Sequence, residues 1–235
     1  FLSNIASFGG QQAIKDLNNL TPGFFTSAPF VKAAERIQYM RDHGYFHKGL
    51  IALSHTESQM EFINHRAAML AAGSWVFNEM AGNWPPGFEL ASMLPPTKIK
   101  AGDPGYMRAS NSYVAISADA KNPEMAIELL RILYSEPIRK QVAKDYTMII
   151  PVESISEGLD LPKEVLSAFA LLDEPLNELF ITPYEVWYNP FNTTFQDLIS
   201  SLVMGNIDAK KFSESMEAAA EQVRKDSSIK KYKLY

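Results

Sequence analysis

The sequence predicts an α/β fold with helices packed around a mixed sheet, and three observations carry that prediction. Apolar residues recur at helical spacing between recognisable start and stop signals. Short apolar runs bounded by turn residues lie between those helices, as strands would. The chain has 235 residues, 46% of them hydrophobic and 21% charged, which is enough to bury a real core. No apolar run approaches the roughly 18–20 residues that a membrane-crossing helix needs.

Taken in order, Ser27-Ala28-Pro29 opens a helix with proline near its first position. Phe30, Ile37 and Met40 form its apolar stripe, and Gly44 stands where a left-handed C-terminal cap belongs, giving a helix over 29–43. Thr56-Glu57-Ser58-Gln59 reads as a capping box for a short helix through Met60, Phe62 and Ile63. Asn122-Pro123-Glu124 starts another, with Ile127, Leu130, Leu133 and Tyr134 following at helical spacing, and a further short helix spans 137–146. Phe191, Phe195, Leu198, Ile199 and Leu202 mark a helix ended by Gly205. Asp208 then caps a last amphipathic helix through Phe212, Met216 and Val223. The expected strands are 67–72, 88–94 and 113–117, with a crossing strand over 147–151. Residues 225–235 read as a polar tail, frayed or lying on the surface.

Composition excludes several classes of function. A net charge of −5 without a Lys/Arg-dense stripe makes nucleic acid a poor partner. The absence of cysteine removes disulfides, thiolate-ligated zinc and thiol nucleophiles together. No phosphate-loop, dinucleotide, zinc-protease, nucleophile-elbow or calcium-loop motif is present. His43 and His47 stand four apart, but Gly44 between them ends the helix they would share, so metal ligation is not expected, and neither is a cofactor. Gly9-Gly10 reads as a tight turn rather than a phosphate cradle. The pairs Glu153 with Glu157 and Asp173 with Glu174 keep open a glycoside-processing enzyme, which needs two carboxyls facing across a cleft.

The aromatic residues are more informative. Trp75 follows Gly73-Ser74 at the end of an expected strand, and Trp187-Tyr188-Asn189-Pro190 stands at the mouth of the Phe191 helix. A flat apolar ring beside hydrogen-bonding groups suits a sugar, whose C–H faces are apolar and whose rim carries hydroxyls. A structural role for both tryptophans is the competing reading.

The stretch Phe62-Ile63-Asn64-His65-Arg66-Ala67-Ala68-Met69-Leu70-Ala71-Ala72-Gly73-Ser74-Trp75 resembles the F-x-x-G-x-A-A-M-x-x-x-G-x-W segment of extracellular solute-binding proteins of carbohydrate ABC transporters, with His65 in place of the usual glycine or small residue. That family includes maltose-binding protein. Leu94-Pro95-Pro96-Thr97, Tyr113-Val114-Ala115-Ile116-Ser117, Lys121-Asn122-Pro123-Glu124-Met125-Ala126 and Gly205-Asn206-Ile207-Asp208 follow in the family's order.

The resemblance implies a type II periplasmic-binding-protein fold, whose two lobes close on a sugar that is then handed to the permease subunits of an ABC importer without covalent chemistry. It gives Trp75, with Gly73 and Ser74, the sugar-stacking role. It places Trp187, Tyr188, Asn189 and Asn192 in a second aromatic contribution, and Asn111 and Tyr113 near the cleft floor. It makes 1–10 the first helix of a C-terminal lobe, 1–111 and 151–235 the parts of that lobe, and 112–150 a segment of a largely missing N-terminal lobe. That segment is expected to expose apolar surface, and so to pair with a neighbouring molecule or to be poorly ordered. The implied location is periplasmic or extracellular, with any lipid-anchoring cysteine in a part that precedes Phe1.

Overall fold

The computed structural model describes residues 1–109, 114–146 and 160–235. In chain order its elements are α1 (Leu2–Asn18), α2 (Ala28–Asp42), α3 (His55–Ile63), α4 (Val76–Glu79), β1 (Gly105–Arg108), α5 (Pro123–Leu133) and α6 (Glu136–Tyr146). There follow α7 (Lys163–Asp173), β2 (Asn177–Phe180), α8 (Tyr184–Trp187), α9 (Asn189–Met204) and α10 (Ala209–Lys225). The protein is α/β but mostly helical, and among the described residues its sheet is the single parallel pair β1–β2. Parallel neighbours require a long crossover, and here it runs from Arg108 to Asn177.

The chain groups into two compact units, Phe1–Ser54 with Pro95–Ser110 and Glu178–Tyr235, and His55–Leu94 with Asn111–Asn177. The first is built on phenylalanine. Phe30, fully buried on α2, meets Phe1 at 5.4 Å, Phe25 at 5.0 Å and Phe212 of α10 at 5.5 Å between ring centroids. Such pairs add about 0.5–1.5 kcal/mol each beyond the area they bury. Polar side chains of α2 then fix the α9–α10 corner: Gln38 accepts from the Ala209 amide at 2.7 Å, and Arg41 donates to the carbonyl of Leu202 at 2.7 Å.

Gly9-Gly10 is not the expected tight turn. It is a kink inside α1, with Gly10 at φ 64° and ψ −165°. Gly9 lets α2 come close, because a Cβ there would meet Pro29 at 2.9 Å.

Asn18, at the end of α1 and wholly buried, is the polar clamp of this unit. Its amide nitrogen donates to the carbonyls of Ile14 at 2.8 Å and Ile181 at 3.1 Å, while its oxygen accepts from the Tyr184 amide at 3.1 Å. It thereby fastens the chain that follows β2 and sets where α8 begins. Burial pushes the Tyr184 phenol above its ordinary range.

The second unit has a smaller core of Phe77, Leu161, Val165, Ala168 and Phe169. Gln59, buried on α3, donates to the Glu79 carboxylate at 2.7 Å, and His55 meets the same oxygen at 3.1 Å, so α3 and α4 are pinned together. On α5 no residue is buried, and Met125, Leu129 and Ile132 are each more than half exposed.

The helices expected at 29–43, 122–134, 137–146 and 191–205, and the one capped by Asp208, are all present. The Asp208 carboxylate accepts from the Lys211 amide at 2.7 Å. Gly44 is left-handed, and the paired bonds Gly44 N to Arg41 O and Tyr45 N to Met40 O close α2 in a Schellman motif. The capping box is displaced: α3 starts at His55, and Gln59 is spent on Glu79. The expected strands 67–72 and 88–94 are irregular, as is 114–117, while the stretches holding Asn111, Tyr113 and the crossing strand 147–151 lie outside the described residues. Short apolar runs specify no partner edge, and Met69, in the middle of the first, is two-thirds exposed.

Asn18→Ala strands a buried amide and a carbonyl, and is expected to lower the unfolding free energy by about 2–4 kcal/mol in urea titrations. A second expectation concerns pH. Gln59 first and His55 second hold the Glu79 carboxyl below its ordinary range. A depressed carboxyl stabilises the fold above its unfolded pKa, and that support is lost as pH falls through the lower folded value. Protection of the α3 amides, relative to their intrinsic exchange, should therefore fall as the pH drops below the ordinary carboxyl range, and Glu79→Gln should flatten that dependence.

Candidate functional site

Trp75 belongs to the second unit, at the turn that opens α4. The Val76 amide bonds to the Gly73 carbonyl at 3.1 Å, and the Asn78 and Glu79 amides bond to the Trp75 carbonyl at 3.1 and 2.9 Å. This turn sends Phe77 inward to the core and leaves Trp75 48% exposed. The ring folds back over Gly73, where any Cβ would overlap its six-membered edge. Gly73 is thus the seat of the indole and Ser74 the residue that spaces them. Nothing else in the unit presents a tryptophan in this way: Trp84 is half-buried beside Phe88, with ring centroids 5.5 Å apart.

The motif's departure at His65 has a physical place as well. His65 follows α3 with φ 58°, and the bonds His65 N to Phe62 O and Arg66 N to Glu61 O form a second Schellman closure. Glycine is the natural occupant of that position, and histidine takes it under left-handed strain.

Trp187 and its neighbours lie in the first unit, with a different environment. Trp187 closes α8 half-buried against the phenylalanine core, and its ring is stacked with that of Tyr232 at 5.2 Å and 19°. Tyr188 is buried, and its hydroxyl accepts from the Tyr232 amide at 2.9 Å. Asn189 is exposed at the first turn of α9, and Asn192 is half-buried one turn on. The polar tail lies on the surface and is bound there, since Asn19 also accepts from the Leu234 amide at 2.6 Å and donates to its carbonyl at 3.0 Å. Sequence reasoning missed Asn19, Tyr232 and Leu234, because the Asn19–Leu234 pairing spans 215 positions and the Tyr188–Tyr232 pairing 44.

Among the described residues no group of three His, Cys, Asp or Glu is arranged to hold a metal ion, and no helix is long and apolar enough to cross a membrane. Glu153 and Glu157 lie outside the described residues. Glu89 and Asp226 are held below the ordinary carboxyl range, by Lys163 and Ser228 respectively, the opposite of what a general acid requires.

In fold the chain is similar to a solved chitin oligosaccharide binding protein, with a TM-score of 0.74 at 15% sequence identity over 94% of this chain and 55% of that one. The chain spans about half the length of that protein. No protein-family model matches the sequence, and no curated protein matches it.

The two tryptophans should separate in stability measurements. Trp75→Ala is expected to change the unfolding free energy by under about 0.5 kcal/mol. Trp187→Ala should cost about 2 kcal/mol through the lost core contact and stack.

Proposed function

We propose that this chain binds carbohydrate, with the Trp75 ring as its stacking platform, and that it does so as part of a two-lobed type II binding protein that delivers sugar to an ABC importer. The observation that carries the reading is the half-exposed Trp75 indole seated on Gly73, in a chain whose fold resembles that of a chitin oligosaccharide binding protein. The open face of the ring is apolar and flat, and the C–H face of a sugar is a fitting partner for it. That the structural neighbour is a binding protein by name favours binding over glycoside processing.

The lobe assignment, with 1–111 and 151–235 in one lobe and 112–150 in the other, belongs to the same proposal, although 55–94 groups with 111–177 in one compact unit; what favours further protein around 112–150 is α5. At about 100° per residue, Glu124, Glu128 and Arg131 occupy a narrow stripe of α5, and its apolar side chains sweep about 220° of the remainder. A surface helix needs an apolar arc of only about 100°. An arc this wide fits a helix enclosed by further protein, here the rest of a two-lobed fold. Delivery to permease subunits and a location outside the cytoplasmic membrane follow from the same reading.

Two outcomes are expected. The 235-residue chain binds chitin oligosaccharides weakly in calorimetry, because a closing cleft draws its affinity from both walls, and Trp75→Ala abolishes the signal; undiminished binding by Trp75→Ala overturns the assignment. In light scattering the chain self-associates through α5, and Leu129→Glu makes it monomeric.

A further inference from the structure

We propose that the segment 226–235 is a displaceable strap lying in a groove of the first unit, and that lifting it uncovers a second carbohydrate-stacking ring, Trp187. The inference rests on the carbohydrate reading above, in which the resemblance already makes Trp187 a second aromatic contribution, and adds to it a gate.

The way the strap is held makes it displaceable. It has no regular secondary structure, and its polar contacts with the body of the unit engage its backbone. The Tyr188 hydroxyl bonds both the amide and the carbonyl of residue 232, at 2.9 and 3.3 Å, and the Asn19 side chain does the same for residue 234, at 2.6 and 3.0 Å. Residues two apart are thus read as a neighbouring strand would read them, with little regard for side chain. The exception is Tyr232, whose ring covers Trp187 while remaining 39% exposed itself. Ile229 and Leu234 are only half-buried, and the remaining side chains from Asp226 to Tyr235 are exposed. Few buried apolar contacts and a handful of surface hydrogen bonds describe a segment at the low end of local stability.

What lies beside the strap fits a sugar. A cleft of about 590 Å³ runs along residues 231–234, its other wall carrying Gln12, Asp16, Asn19 and Thr21. These supply amide donors and acceptors, a carboxylate and a hydroxyl, the set that pairs with a hydroxyl rim. With the strap lifted, Asn19 and the Tyr188 hydroxyl are released from backbone duty at the same time as the Trp187 face. Tyr232 and a pyranose ring need the same indole face, so strap and sugar exclude one another. Losing the Tyr232 ring should raise apparent affinity at Trp187 by about 2- to 10-fold, the equivalent of one aromatic pair.

The test follows the three tryptophan indole N–H signals by NMR during titration with chitin oligosaccharides, in the wild-type chain and in Tyr232→Ala. The expected result is that the Trp75 signal moves in both proteins, and that the Trp187 signal moves at lower sugar concentration in Tyr232→Ala than in wild type. A synthetic peptide of residues 226–235 added to the variant should reverse that gain. Tyr235→Ala, altered in the strap but not in the stack, should behave as wild type, and unchanged core methyl signals will show that Tyr232→Ala is folded. A Trp187 signal that responds equally in both proteins, or in neither, overturns the strap. A Trp75 signal that stays still in both overturns the carbohydrate role of Trp75, an outcome recorded separately from the strap.

Discussion

The first unit is organised by one buried amide. Asn18 closes α1 by bonding back to Ile14, and its remaining hydrogen-bonding capacity reaches across to Ile181 and Tyr184. Three satisfied bonds make its burial tolerable, and the low dielectric around them strengthens each one. Because the chain re-enters this unit at β2 after a long excursion, the clamp decides where the re-entry is anchored. The direction of α8, the position of Trp187 and the start of α9 all follow from it. The phenylalanine cluster around Phe30 supplies the larger share of stability, but packing of that kind tolerates sliding in a way that directed hydrogen bonds do not.

Trp75 and Trp187 show how environment divides identical side chains between roles. Both stand at the mouth of a helix beside hydrogen-bonding neighbours. Trp75 lies over a glycine, where its ring finds a flat seat and open solvent. Trp187 is enclosed by the core on one side and by Tyr232 on the other. The first keeps a face open to solvent, and the second is covered by a ring of its own chain.

Much of the helical framework was legible because helices end on local chemistry. Gly44 and Gly205 adopt the left-handed conformation that their positions predicted, and Asp208 caps as its side chain allows. The strands were not legible. Gly105–Arg108 and Asn177–Phe180 are four residues each with no strong alternation, and they exist because they meet one another across a crossover of some seventy residues. Conversely, 67–72 and 88–94 have apolar residues but pair with no strand among the described residues. α7 was missed because its start, Pro162-Lys163, offers no side-chain cap.

The sequence by itself determined where most of the helices lie and, through the motif it resembles, that Gly73, Ser74 and Trp75 belong together and that the position of His65 is one where glycine is at home. These depend on interactions a few residues long. Only the tertiary structure decided that Trp75 faces solvent while Trp187 is covered, that Asn18 and Asn19 hold different parts of the returning chain, and that the polar tail is bound rather than loose. Those outcomes depend on which distant segments are brought together, and the free energy of such contacts belongs to the folded arrangement and not to any local stretch of chain.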